Sequence, residues 1–400
     1  MPTSNIQRLT HRTLLPGVMA ALLVGIATTP SHAESIRSQQ WHLTAMKAEV
    51  MWKITKGDGV TVAVIDSGVD DENPDLRGQV LEGKDFAPEA PGDQHTDYRD
   101  HGTSMAGLIA GTGENRGGDG AFGLAPGARI LPVRVPLNAT VFPKAIRYAA
   151  DAGAKVINIS MSVGGGAVWE EESEAVKYAL RKGALIFAAV GNDGDSTLAS
   201  PAGTPGVVAV GSVGQDLQKT AESQYGPQVD LAAPGVDMVA ACGGKTGLCK
   251  TRGTSDATAI ASASAALIWS KHPDWTNNQV LRVMLNTAAG PTSGAKRNDY
   301  IGYGVVRPRI ALRTPGDLGP ADEYPLPDLA AAAPSPSPKA SEPARDKTEE
   351  DEQSAAPAGK DDSDAAFWIG LGVGAAALLG AAIAIPLVRA RRRNTTFIDH

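Results

Sequence analysis

Cysteine is almost missing from this chain. Cys242 and Cys249 are the only two in 400 residues, too few for a disulfide-scaffolded fold or a complete cysteine zinc site. Positive charge is in deficit: 37 Lys and Arg face 44 Asp and Glu, a net charge of -7. No long basic patch occurs before the extreme C-terminus, so the electrostatic footprint of a nucleic-acid-binding protein is absent. There is no internal repeat, and no run of oxygen ligands has convincing calcium-loop spacing. No cofactor is expected, and no metal ligands are assigned, so whether calcium is bound stays open.

What is present is clearest at the two ends. Arg8, His11 and Arg12 precede an apolar stretch from Leu14 to Thr28, and Ser31-His32-Ala33 then offers small residues where a signal peptidase reads. Residues 1–33 read as a signal peptide; the alternative, an uncleaved N-terminal anchor, also implies export. Near the other end, Phe367 to Val388 is an uncharged apolar run of 22 residues followed by Arg389, Arg391, Arg392 and Arg393. That length spans a hydrocarbon core of about 30 Å, and the arginines place 389–400 in the cytoplasm. Residues 367–388 are thus expected to be a transmembrane helix in the cell membrane, with the rest of the mature chain extracytoplasmic. Residues 314–366, rich in Pro, Ala, Ser and charge, read as a disordered tether. This leaves a short extension at 34–57 and one globular domain at 58–313.

Within the domain, apolar runs alternate with helical patterns, as in an α/β fold with a mostly parallel sheet covered by helices on both faces. Val60 to Ile65, Arg129 to Val135, Val156 to Met161, Leu185 to Val190 and Val207 to Val210 read as buried strands. Lys144 to Ala152 and Val168 to Arg181 read as helices, the second with Glu170, Glu171 and Glu172 in its first turn, where the helix dipole favours acids. In such sheets ligands sit at the carboxyl ends of the strands, so the residues after each run deserve scrutiny.

The first run ends in Ile65-Asp66-Ser67-Gly68, which delivers a carboxylate to that region. Asp100-His101-Gly102-Thr103 opens a helix of small residues and sets an imidazole at its start. Arg252-Gly253-Thr254-Ser255 leads into another small-residue helix, from about Ala257 to Ser270. A serine there can simply be a cap. It can equally be a nucleophile, since backbone N–H groups and the helix dipole favour the oxyanion formed on attack at a carbonyl.

Asp-Ser-Gly, His-Gly-Thr and Gly-Thr-Ser, in that order, resemble the three active-site motifs of the subtilisin-like serine proteases. The resemblance implies a serine endopeptidase acting on polypeptides, with Ser255 as nucleophile, His101 as its base and Asp66 orienting the imidazole. It further implies Asn192, in Gly191-Asn192-Asp193-Gly194, as an oxyanion donor. Ser160, Met161 and Ser162 would pair with extended substrate, while Ala188, Ala189 and Gly191 would line the pocket for the side chain before the scissile bond. Three positions depart from the family pattern: Asp256 follows the nucleophile in place of an apolar residue, Ala259 replaces a proline, and Ser162 replaces a common glycine.

A narrower resemblance joins Gln39-Gln40-Trp41-His42-Leu43, the short cysteine loop, the Pro-rich tether and the apolar C-terminal run. Together they look like the mycosins, subtilisin-like proteases of type VII secretion systems in actinobacteria. That likeness implies the secretion machinery as a partner. The extension between Ala33 and the first strand is too short for a folded inhibitory prodomain. Cys242 and Cys249, on the oxidising side of the membrane, are expected to form a disulfide, with two free thiols as the alternative. The competing function is a structural subunit of a secretion complex with weak or absent proteolysis, a reading that Asp256 and Ala259 keep open.

Overall fold

The computed structural model describes residues 34–164 and 170–331. Its centre is a seven-stranded sheet made of β1 (Thr61–Asp66), β2 (Lys84–Asp85), β3 (Arg129–Arg134), β4 (Val156–Ile159), β5 (Leu185–Ala189), β6 (Val208–Val213) and β7 (Leu231–Pro234). Their spatial order is β2-β3-β1-β4-β5-β6-β7, and every neighbouring pair is parallel. All five expected strands are present. The two edge strands were not legible: β2 is only two residues long, and β7 ends in a proline.

Because side chains alternate along a strand, a run such as Val62-Ala63-Val64-Ile65 feeds two cores at once. Val62 and Val64 pack with Leu108 and Ile109 of α1 (His101–Ala110) and with Ile260 and Leu267 of α4 (Thr254–Lys271). Ala63 and Ile65 face the other way, toward Phe142 and Ile146 of α2 (Phe142–Asp151) and Val176 and Ala179 of α3 (Glu170–Arg181). Every residue of α4 from Thr254 to Trp269 is buried. A helix without a polar face belongs inside a protein, and its alanines and serines let it lie close to the sheet. The glutamates of α3 behave unequally. Glu172 is fully buried, its carboxylate accepting from the Ser200 hydroxyl at 2.5 Å and from the Thr204 hydroxyl.

Three short helices, Ile36–Gln39, Trp41–Met46 and Ala48–Trp52, carry the N-terminal extension across the α1/α4 side. Leu43, Ala48 and Met51 join that core. The buried Gln40 amide donates to Phe122 O at 2.8 Å and Val239 O at 3.0 Å and accepts from Phe122 N, while Trp41 Nε1 donates to Val236 O at 2.7 Å. The extension is therefore part of the folded unit.

The expected tether also begins later than residue 314. After α6 (Pro308–Arg313) the chain crosses α5 (Asn277–Thr287), where Arg282 donates to Leu318 O, Pro320 O and Glu323 O, each at 2.9 Å. Leu326 is buried in the core, and Tyr324 Oη and the Asp328 carboxylate clasp Gly206. Proline-rich composition suggested disorder here, but three backbone carbonyls presented to one guanidinium supply the order that local pattern lacks. The signal-peptide reading, the rest of the tether, the transmembrane helix and the cytoplasmic tail lie outside the described residues. Among the described residues, no helix is long and apolar enough to cross a membrane.

Two outcomes follow for stability. Leu326→Ala should cost about 2–4 kcal/mol, read as a lowered denaturation midpoint, and a chain ended at Arg313 should lose at least as much; an unchanged midpoint would mean that the strap is not part of the core. His42 is fully buried, neither ring nitrogen has a partner among the described residues, and burial, aided by Arg37, lowers its pKa from the ordinary 6.5 to about 3. The unfolded chain therefore binds a proton that the folded one refuses, and stability should fall as pH drops below about 6.5 toward 3, by up to ~1.4 kcal/mol per unit. Chemical denaturation at pH 7 and pH 4.5 would show wild type losing more stability, or gaining less, than His42→Leu over that range, the difference being the contribution of His42.

Candidate active site

Asp66, His101 and Ser255 converge at the carboxyl end of the sheet. Asp66 is the last residue of β1 and only 1% exposed. Both of its carboxylate oxygens face His101 Nδ1, at 2.8 and 3.0 Å, and Oδ1 also accepts from Ser67 N at 2.8 Å. This contact needs α1 to start very close to the end of β1. Gly102 permits it, since a Cβ there would lie 2.1 Å from Gly68 O and 3.0 Å from Asp66 Cβ. Asp100 turns the chain into the helix at φ 59°, a left-handed conformation that Asp tolerates better than most residues.

A residue that the sequence reading missed secures this start. Asp97 accepts from Ser67 Oγ at 2.6 Å through one oxygen, and from Thr103 N at 2.7 Å and Thr103 Oγ1 at 2.6 Å through the other. It caps α1 and ties the cap to the residue beside Asp66. Its signal was an aspartate just upstream of a helix start, a cap candidate that the neighbouring His-Gly motif overshadowed.

Ser255 lies in the first turn of α4, which begins three residues earlier than expected, and is 8% exposed. Its hydroxyl donates to Ser160 O at 2.7 Å, and Ser160 Oγ returns a bond to Ser255 O at 2.9 Å. Beneath them Asn158 Nδ2 donates to Ser160 Oγ at 2.9 Å, and Ser262 Oγ donates to Asn158 Oδ1 at 3.0 Å. The hydroxyl is thus turned toward β4, and delivery of its proton to His101 requires a rotation about χ1. Serine–base bonds often form only once substrate is bound.

Asn192 sits beside the same helix start. Its Oδ1 accepts from Thr254 N at 2.9 Å and from Thr254 Oγ1 at 3.0 Å. A backbone N–H can only donate, so this bond fixes which way the amide faces and leaves its NH₂ group for another acceptor. Gly191 precedes it at φ +112°, where a Cβ would stand 1.3 Å from Gln224 Oε1. Gln224, also missed from sequence, holds the loop through Asp195 Oδ1 at 3.1 Å and Thr197 O at 2.9 Å.

The expected substrate-lining residues divide. Ser160, Met161 and Ser162 follow β4 as an unpaired stretch, with Ser162 half-buried, while Ala188 and Ala189 are fully buried in β5. The Ala188 side chain packs in the α2/α3-side core, so this segment offers an open site its backbone and not that methyl group. Cys242 and Cys249 are joined in a disulfide that closes the hairpin Met238–Ala241/Leu248–Thr251. Among the described residues, no cluster of His, Cys, Asp or Glu is arranged to hold a metal ion.

Electrostatics favour a charged imidazole. The Asp66 carboxylate foremost, with lesser help from Asp256 and Asp97, raises the His101 pKa from 6.5 to about 9 against the effect of burial. Asp256 itself is pushed up to about 6 by burial, opposed by a hydrogen bond from Thr251 and by the charge of His101. With Nδ1 held by Asp66, Nε2 is left to exchange a proton. A hydroxyl, an imidazole, a carboxylate and amide donors at a helix N-terminus form a set suited to acyl transfer.

The subtilase family pattern matches residues 57–304. The chain is 39% identical over 261 residues to the thermophilic serine proteinase of Bacillus sp. strain AK1, a match covering 64% of this chain and 62% of that protein. Among solved structures it resembles MycP1 from the ESX-1 type VII secretion system, at 31% identity and a TM-score of 0.62 over 71% of this chain and 88% of that one. It also resembles a chain of an intact ESX-5 inner membrane complex, at 27% identity and a TM-score of 0.64 over 78% and 85%. With its parallel sheet and the match across most of the folded unit, the chain belongs to the subtilase family of subtilisin-like serine proteases.

Proposed function

We propose that this protein is an exported serine endopeptidase, anchored in the cell membrane by residues 367–388 and associated with type VII secretion, that cleaves peptide bonds through Asp66, His101 and Ser255. The observation that carries the catalytic reading is the two-oxygen grip of Asp66 on His101 Nδ1, at 2.8 and 3.0 Å, beside a serine at the mouth of a buried helix. An extended substrate would lie along 160–162. On binding, Ser255 Oγ turns from Ser160 O and attacks the scissile carbonyl while His101 Nε2 takes its proton. The oxyanion is received by Asn192 Nδ2 and the backbone N–H at Ser255. Collapse breaks the C–N bond, His101 returns the proton to the leaving amine, and water repeats the sequence to release the acid. The protein needs no cofactor for these steps.

The likeness to MycP1 and to a chain of the ESX-5 inner membrane complex supports the secretion partner. The apolar run 367–388 with its trailing arginines supports the anchor.

Ser255→Ala should abolish both peptide hydrolysis and covalent labelling by a fluorophosphonate. Asn192→Ala should keep the label and lose roughly 100- to 1,000-fold in turnover. A labelled Ser255→Ala protein would refute the nucleophile, and a folded Asn192→Ala protein with normal turnover would reduce Asn192 to a turn residue. For topology, protease added to intact spheroplasts should release an active fragment whose end falls between about residues 332 and 366, beyond the packed strap. A domain protected until the membrane is broken would reverse the orientation.

A further inference from the structure

Because the seven strands are parallel, the two ends of the sheet differ. Loops at the carboxyl ends, beside the site, carry the acids Asp70, Glu72, Asp100, Asp193 and Asp195. The amino ends, at the opposite pole, are set with cations. Lys56 lies in the turn before β1, Arg129 opens β3 and Lys155 precedes β4. Backbone bonds join these positions into one surface: Gly127 N donates to Lys56 O at 2.8 Å, Arg129 N to Val60 O at 2.9 Å and Lys155 N to Thr61 O at 3.1 Å. Lys155 Nζ also stands 5.5 Å from the centre of the Trp269 ring, and the next residue of α4, Ser270, meets Thr55 through their hydroxyls at 2.7 Å. Lys56, Arg129 and Lys155 are exposed, and among the described residues none of them pairs with an acid. Asp58 is an exposed acid within the patch, and Asp151 beside it is matched by Lys182 at 3.2 Å.

The same pole exposes apolar side chains. Among the described residues, the exposed large hydrophobics are Val50, Ile54, Leu137, Leu217 and Tyr300. Val50 and Ile54, 42% and 41% exposed, stand four residues apart on the helix Ala48–Trp52 and the turn after it, with Lys47, Lys53 and Lys56 around them. Met51 between them is fully buried, so the core holds this segment firmly while its outer side chains meet solvent. Glu49 of the same helix is occupied by Arg37. Apolar side chains among lysines are costly in water and suit the boundary between headgroups and acyl chains.

The exit of the chain points to the same place. Tyr324 Oη donates to Gly206 O at 2.9 Å and Gly206 N donates to Asp328 at 2.8 Å, which fixes the strap's end two residues before β6 begins, again at the amino ends of the strands. The apolar run opens at Phe367, about 35 residues farther on. A tether of that length has a root-mean-square span of roughly 30–35 Å, which presents this pole to a nearby surface at an effective concentration of millimolar order. At that concentration a weak surface attraction is enough, and each cation beside an anionic leaflet adds roughly fivefold.

We infer that this pole is a membrane-docking face: Val50 and Ile54, with Lys53, Lys56, Arg129 and Lys155, rest on anionic phospholipid headgroups, and the acidic pole with the active site is turned away from the bilayer. The inference rests on the anchor proposed above only for the nearness of a membrane.

The test is lysine footprinting of the full chain in nanodiscs of phosphatidylcholine alone or with about one third phosphatidylglycerol, using an amine-acylating reagent and mass spectrometry. Lys53, Lys56 and Lys155 should react about three- to tenfold more slowly in the anionic discs. Lys245 and Lys250, on the hairpin beside Asp100, should react equally in both. About 0.5 M salt should remove the protection. A Lys53→Glu, Lys56→Glu double variant should lose it at Lys155 while cleaving a soluble peptide as the wild type does. Equal rates at Lys53, Lys56 and Lys155 in the two discs overturn the inference. So does protection that appears in neutral discs and survives salt, which would assign the face to a second copy or another protein, and so does a double variant still protected at Lys155. Failure of the chain to enter discs would strike at the anchor instead, and the same lysines probed with added vesicles of the two compositions would then decide the docking.

Discussion

The active-site geometry depends on a contact that only bare backbone can make. The first turn of α1 comes so close to the turn after β1 that any side chain at 102 would strike Gly68 O. That approach puts a carboxylate leaving a buried strand within hydrogen-bond reach of an imidazole entering a buried helix. Lengthen it by the width of a methyl group and the two-oxygen grip on Nδ1 is gone. The small residues of α4 do similar work on the other side, letting a helix buried from Thr254 to Trp269 bring Ser255 to the same edge of the sheet.

Around that contact, side chains that perform no chemistry keep the reacting groups in place. Asp97 binds the start of α1 to Ser67, Gln224 holds the loop that carries Asn192, and the chain Ser262–Asn158–Ser160 supports the carbonyl on which Ser255 rests. These groups are buried, where an unmet hydrogen bond is costly and a met one is rigid. Precision at the site is a property of this shell as much as of the three residues that it holds. The shell also carries charge, and the acids around His101 place its proton exchange well above the ordinary histidine range.

Sequence and structure agree most where a local pattern has one physical solution. Runs such as Val62 to Ile65 are apolar on both faces and short, so they can only be buried strands, and a parallel sheet directs attention to their carboxyl ends. That logic drew attention to Asp66, and helix-start composition to His101 and Ser255, while the resemblance to the subtilisin-like proteases singled out Asn192. It failed where order came from far along the chain. Residues 314–326 have the composition of a tether, yet Arg282 and Gly206 bind them to the domain. Ala188 has the right motif for a substrate pocket, but its strand lies so deep that its methyl group meets core instead.

The sequence by itself therefore determined the fold class, singled out Asp66, His101 and Ser255 in their order as the candidates for the reactive roles, and led to the expected pairing of its only two cysteines. Periodicity, glycine placement and motif order are local quantities, set by sterics within a few residues. Only the tertiary structure decided which way the Ser255 hydroxyl points, and that Asp97 and Gln224 hold the site's elements in place. These outcomes turn on contacts between residues about 30 to 95 positions apart, and such contacts arise only when separate strands and helices pack into one core.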